Sequence, residues 1–238
     1  MRAGAKSAAK REKAFDSRGT PAYPLAEAAH FLKLPMATLR SWVVGRQYPK
    51  AQGVGHFRPL IQAARCEPPL LSFWNLIEAH VLRSLRSEHG VSLRDVRRAL
   101  AYAQHELEVE RLLLDRRLLT DGGQLFLDYY GRLINLSASG QIALRRLFEE
   151  HLKRVEWGEW QFPIRLYPFV TGSAESSARP IMIDPEVAFG RPVVARVGIS
   201  TRAIAERLDA GESVGDLATD YGLELSEIEE AVLYERAA

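Results

Sequence analysis

The sequence predicts a mainly α fold of α+β type: a winged helix-turn-helix head, a small aromatic-rich middle and a C-terminal three-helix bundle. Three observations predict it. Apolar residues recur at helical spacing through most of the chain. Proline, glycine and serine punctuate those runs at short intervals, as caps and turns do. Charge is segregated: residues 1–60 hold 11 Lys and Arg against 3 Asp and Glu, whereas 181–238 hold 5 against 12, so the net charge of +2 conceals a bipolar molecule.

Residues 1–19 (MRAGAKSAAKREKAFDSRG) are basic and unpatterned, and read as a disordered arm able to follow phosphates. In the head, 20–107, Leu25, Ala28, Ala29 and Leu32 fall at i, i+3, i+4 and i+7, the apolar face of a first helix. Leu34-Pro35 breaks it, and proline suits the first position of the next helix. That helix is expected to turn Met36, Leu39, Trp42 and Val43 inward, to leave Ala37, Thr38, Arg40 and Ser41 outward, and to end at Gly45. Two short helices across a tight turn, the second bearing hydroxyls and an arginine, suit the major groove; an ordinary helical hairpin has the same spacing. Gly45–Ile61 predicts a short hairpin or wing that sets Arg46, Lys50 and Arg58 beside a duplex backbone. Ser72 opens a helix to about Arg86, with Phe73, Leu76, Ile77, Val81, Leu82 and Leu85 inward. Ser92 and Asp95 then form a capping box for a helix carrying Val96, Leu100 and Ala103.

The middle, 108–179, reads as a small α+β unit. Gln124–Leu136 has two β-prone runs about Tyr130-Gly131 and predicts a hairpin. Ser137–Val155 predicts a helix with Ile142, Leu144, Leu147 and Leu152 inward, and Phe162–Val170 a strand. Thr171–Arg179 is a Ser/Ala/Gly linker. The dense aromatics here are either core or partner contact. In the tail, 180–238, a β-prone entry turns at Gly190-Arg191-Pro192. Three capped helices follow, from Ser200, from Ser213 with Asp216, and from Ser226 with Glu229; Gly222 stops the second. The third exposes Glu227, Glu229, Glu230 and Glu235, which phosphate would repel, so the tail is expected to dock on protein.

Enzyme signals are thin. No H-x-x-x-H, G-x-S-x-G or phosphate-loop pattern occurs, and the sequence nominates no catalytic residue, metal ligand or cofactor. Glu149-Glu150-His151 is the remote metal candidate, but neighbours on a helix diverge by about 100°. The one cysteine, Cys66, precludes an internal disulfide. No apolar run approaches the roughly 20 residues that span a bilayer, and no signal peptide is evident, so a cytoplasmic protein that avoids membranes is expected.

Residues 23–107, with LAEAAHFLKLPMATLRSW, GHFRPLI and LRSLRSEHGVSLRDVRRALAY, resemble a MerR-like winged-helix domain. The resemblance implies recognition-helix positions at Thr38, Arg40 and Ser41 and wing positions at Arg46, His56 and Arg58. Ser41-Trp42 replaces the aromatic pair usual after the arginine, and the long coiled coil and cysteine loop of metal sensors are missing. The tail, IDPEVAFGRPVVARVGISTRAIAERLDAGESVGDLATDYGLELSEIEEAVLYE, resembles a small antitoxin-associated domain. Head and tail together look like a large VapB-type antitoxin. That implies a homodimer that binds operator DNA, represses its own operon and neutralises a PIN-domain ribonuclease toxin in a higher assembly. Arg191, Arg196 and Arg202 are the tail arginines that could be aimed at the toxin's acidic site, although Arg191 could simply support its turn. The alternative is a stand-alone MerR-like regulator whose middle domain senses a ligand.

Overall fold

The computed structural model describes residues 16–49, 53–85, 93–135, 137–158, 162–170 and 179–237. Lys50, the Ser92 cap, most of the 171–179 linker and the first 15 residues lie outside them. The end of the basic arm, Ser17–Gly19, forms a 3-10 turn whose cap is Asp16.

The head opens with strand β1 (Tyr23–Pro24), α1 (Leu25–Phe31) and α2 (Met36–Val43). Leu25, Ala28, Ala29 and Leu32 are all buried, as the spacing requires. A hairpin of β2 (Arg46–Pro49) and β3 (Val54–Phe57) follows, then β4 (Arg65–Cys66) and β5 (Pro69–Leu71). β1, β5 and β4 make a small antiparallel sheet in that order, a feature too short for sequence periodicity to reveal. Ser72 and Asn75 cap α3 (Phe73–Ser84), and α4 (Leu93–Leu107) buries Val96, Ala99, Leu100 and Ala103.

The middle departs from expectation. Gln124–Leu136 is not a hairpin: α5 (Asp121–Leu133) occupies it and buries Phe126, Leu127 and Tyr130 at helical spacing. Packing overrides the β propensity of the aromatics. Gly123 lets the helix press on the preceding 3-10 turn, since a Cβ there would lie 2.1 Å from the Leu118 carbonyl oxygen. Next, α6 (Ala138–Leu152) lies within the predicted 137–155 helix, and Ser137 caps it. Its seam is Leu144, Phe148, His151 and Leu152, which leaves Ile142 62% exposed instead of inward. β6 (Val155–Trp157) pairs with β7 (Pro163–Leu166), inside the predicted 162–170 strand.

The tail comprises the pair β8 (Ile181–Met182) and β9 (Val193–Val194), then α7 (Thr201–Asp209), α8 (Val214–Tyr221) and α9 (Leu225–Arg236). Ser213 caps α8, and Gly222 closes it in the left-handed conformation. The third cap lies two residues earlier than Ser226: Glu224 occupies it and its backbone N–H donates to Glu227 Oε2 at 2.8 Å. One continuous apolar core runs from α1 through α6 and takes in Ile183, while a smaller core joins the three tail helices. Reciprocal backbone bonds between Leu166 and Ile183, 3.0 and 2.8 Å, tie the residue after β8 to β7 within the larger core. The protein is mainly α with small sheets and a helix-turn-helix head.

Candidate nucleic-acid interface

The turn between α1 and α2 carries a hydrogen-bonding problem visible in the sequence. In a helix the Phe31 carbonyl would accept from residue 35, but Pro35 has no N–H. The tail solves it: the Tyr234 hydroxyl, in the last turn of α9, donates to Phe31 O at 2.9 Å, and Tyr234 is fully buried. Arg83 of α3 donates to the next carbonyl, Leu32 O, at 2.7 Å. Lys33 returns a bond to Tyr234 O and sits 3.8 Å over its ring. His30 and Glu235 lie 3.1 Å apart, and Arg191 and Glu27 3.7 Å. The turn is thus held from two sides, one of them the far end of the chain. The missing proline N–H was the available signal; which residue would answer it was not.

Sequence reasoning misjudged two positions on α2. Thr38 is 7% exposed and lies with Leu39, Trp42 and Val43 on the buried face, so it is not presented outward. Met36, expected inside, is 43% exposed. Thr38 stands one helical turn from Trp42 and so shares the buried face, while Met36 lies at its rim. Ala37 and Arg40 face solvent, and Ser41 is half-buried with its hydroxyl donating to Thr38 O at 2.7 Å.

The wing grows directly from α2. Gly45 adopts φ +86°, and a Cβ there would fall 2.2 Å from Phe57 O, so the root of the hairpin requires glycine. Arg46 pairs with Phe57 and His56 with Gln47, which puts Arg46 and His56 on opposite faces of the ribbon. Tyr48 and Phe57 stack at 4.2 Å on the Arg46 face. The chain then returns to the end of α2, where Trp42 O accepts from the backbone of Leu60 and Ile61 at 2.7 and 3.0 Å. This return brings Arg58 back beside the helix, and Arg97 of α4 donates to the Arg58 carbonyl. Arg40, Arg46, His56 and Arg58 are all exposed. Among the described residues none of these four has an acidic side chain within ion-pair distance. Lys50 lies outside the described residues.

The three tail arginines differ in commitment. Arg196 is bidentate to Glu227, at 3.0 and 2.7 Å, and also donates to Gly222 O at 2.7 Å. Arg202 pairs with Glu206 one helical turn away, and Arg191 reaches only the long contact with Glu27. Glu235 is held by His30 and Thr201 and Glu227 by Arg196, so two of the four glutamates expected to face outward on α9 are folded inward.

The buried histidines between α3 and α6 are structural. His80 and His151 are buried with ring centroids 5.0 Å apart. His80 Nε2 donates to His151 O and His151 Nδ1 to Leu147 O, both at 2.9 Å. Burial, with the Arg83 and Arg154 guanidinium charges, lowers His151 to about 4 and pushes His80 well below the usual range. Both are therefore neutral near pH 7. Glu149 is exposed while His151 is buried, so Glu149-Glu150-His151 does not converge. Among the described residues no group of three or more His, Cys, Asp or Glu could hold a metal. The aromatics Phe126, Tyr130 and Phe148 fill the core, at centroid separations of 5.8 and 5.9 Å. Among the described residues no helix is long and apolar enough to cross a membrane.

Comparison with known proteins places matches at both ends. Residues 21–100 match a family described as "Putative DNA-binding HTH domain", and residues 181–234 match "Protein of unknown function (DUF433)". The chain is 26% identical over 234 residues to "Putative antitoxin VapB45" of Mycobacterium tuberculosis, covering 89% of this chain and 92% of that protein. It is 23% identical over 217 residues to "Uncharacterized protein Rv2308" of the same organism, covering 89% of each. The crystal structure of Rv2018 from Mycobacterium tuberculosis shares the fold, with TM-score 0.65 at 22% identity, over 90% of this chain and 98% of that one. The head thus matches a putative DNA-binding helix-turn-helix family, and the relative named a putative antitoxin matches over most of both chains.

Proposed function

We propose that this chain is the antitoxin of a type II toxin–antitoxin pair, which represses its own operon through the α2 helix and wing and neutralises a PIN-domain ribonuclease through its tail. The observation that carries the reading is the joining of two surfaces in one chain. One is a helix-turn-helix whose Arg40, Arg46 and Arg58 have no acidic partner among the described residues; the other is a tail that carries 12 of the 30 acidic residues. Cations left unpaired on a reading helix and its wing suit phosphates and base edges. Thr38 drops out of the contact set because it is buried; Arg40, Ser41, Arg46, His56 and Arg58 remain in it.

The toxin-facing arginines are Arg191 and Arg202. Both have exposed side chains, 51% and 68%, and their ion pairs are surface contacts that a stronger acceptor can displace. Arg196 serves the tail's own fold. A palindromic operator favours a two-fold homodimer, with toxin added in a larger assembly.

The test is co-expression of the full-length chain with the nuclease encoded beside it. Growth arrest by the nuclease should be relieved, the two proteins should co-purify, and Arg191→Glu with Arg202→Glu should weaken both effects. Continued arrest with no co-purification would overturn the toxin assignment and leave DNA binding to be judged by itself.

A further inference from the structure

The solvent-facing stripe of α2 is almost without hydrogen-bonding groups. Met36 (43% exposed), Ala37, Arg40 and Val44 (41% exposed) stand at i, i+1, i+4 and i+8, opposite the buried Leu39, Trp42 and Val43. Ser41, at the edge of the stripe, gives its hydroxyl hydrogen to Thr38 O. Arg40 is therefore the stripe's strong donor, and the residues at the helix start, which reach base edges in helix-turn-helix proteins, are a thioether and a methyl group. The bulky apolar group that a base edge presents in the major groove is the C5 methyl of thymine.

We propose that Met36 and Ala37 read a thymine methyl in the major groove while Arg40 forms its fork with a guanine. The inference rests on the DNA-binding reading above and names the base chemistry that surface selects. Four residues of helix rise about 6 Å, so the thymine and the guanine lie about two base steps apart. A protein partner for the same apolar stripe fits less well. Arg40 stands in its middle, and Arg46 and Arg58 follow on the wing with no acidic partner among the described residues. That field matches phosphate rather than an apolar protein surface.

The experiment selects duplexes from a randomised pool with the full-length chain, then replaces each thymine of the enriched site by uracil, which removes only the methyl group. One such exchange should weaken binding about fourfold, the worth of one buried methyl group. The substitution Met36→Gln, at an exposed position where folding is not threatened, should bind the thymine and uracil duplexes alike while its salt dependence stays that of the parent. An enriched duplex indifferent to every uracil exchange overturns the methyl contact and leaves DNA binding standing. A Met36→Gln variant that keeps full sensitivity to uracil overturns the assignment of Met36, and one that loses self-association instead of duplex affinity shows that the stripe is a protein interface. A pool from which no duplex is enriched defeats the DNA-binding reading and this proposal with it.

Discussion

Replacing Tyr234 by phenylalanine isolates one buried hydrogen bond between the last helix and the helix-turn-helix. The ring stays, with its packing and its contact to Lys33, and only the donor to Phe31 O is lost. Pro35 cannot replace it, so a carbonyl in the interior is left without a partner. Such a group costs about 1–3 kcal/mol, against about 1 kcal/mol for an ordinary exchange with water. In a chain of 150–250 residues each kcal/mol lowers Tm by about 2–4 °C, so a cost near 2 kcal/mol predicts a fall of about 4–8 °C. Melting followed by far-UV circular dichroism, at equal protein concentration, measures it, with Tyr129→Phe as the half-buried control expected to melt close to the parent. If Tyr234→Phe melts with the parent, the Phe31 carbonyl does not depend on the tail and the reasoning about the turn fails.

Two further predictions follow from local geometry. Burial keeps His151 at about 4 in the fold, below the 6.5 of an unfolded chain, so between those values the unfolded state binds the extra proton. Stability is then full above pH 6.5 and falls as pH drops toward 4, by about 3 kcal/mol from this residue; urea midpoints that stay flat from pH 7 to 4.5 would refute it. At the wing root, Gly45→Ala forces both a left-handed alanine and a 2.2 Å approach to Phe57 O, whereas Gly53→Ala meets nothing within 4 Å. Gly53 is also left-handed (φ +87°), so its alanine carries that strain alone, about 1–3 kcal/mol, and Gly45→Ala should cost more than that and weaken duplex binding; equal urea midpoints for the two variants would contradict the close approach.

What could be read in advance was whatever depends on a few neighbouring residues. Ser72, Ser137 and Ser213 announced their helices because a short side-chain oxygen caps a helix locally, and Gly222 announced a stop because it tolerates the left-handed conformation. The cap of α9 was misplaced because Glu224 is a poor capping type that succeeds here only through Glu227. Phe126, Tyr129 and Tyr130 suggested strands through their intrinsic preference, and only the neighbouring α4 and α6 turn that segment into a helix. On α2 the pattern of Leu39, Trp42 and Val43 was right, but the buried arc is centred nearer Thr38 than Met36, because packing rather than side-chain polarity decides which rim residue is covered. Partners some 200 positions apart, such as Phe31 and Tyr234, have no local signature at all.

That separation also sets the order of assembly. Synthesis runs from the N-terminus, and folding units ordinarily close as they emerge. Here the bend between the two reading helices lacks a partner for one of its carbonyls until residue 234 of 238 has been made. A chain that lacks α9 keeps the Arg83 bond to Leu32 O but leaves the Phe31 carbonyl without its donor, so its turn is weaker. The helix-turn-helix takes one of its hydrogen-bond donors from a residue about 200 positions downstream, so loss of α9 would loosen the turn at the opposite end of the fold as well.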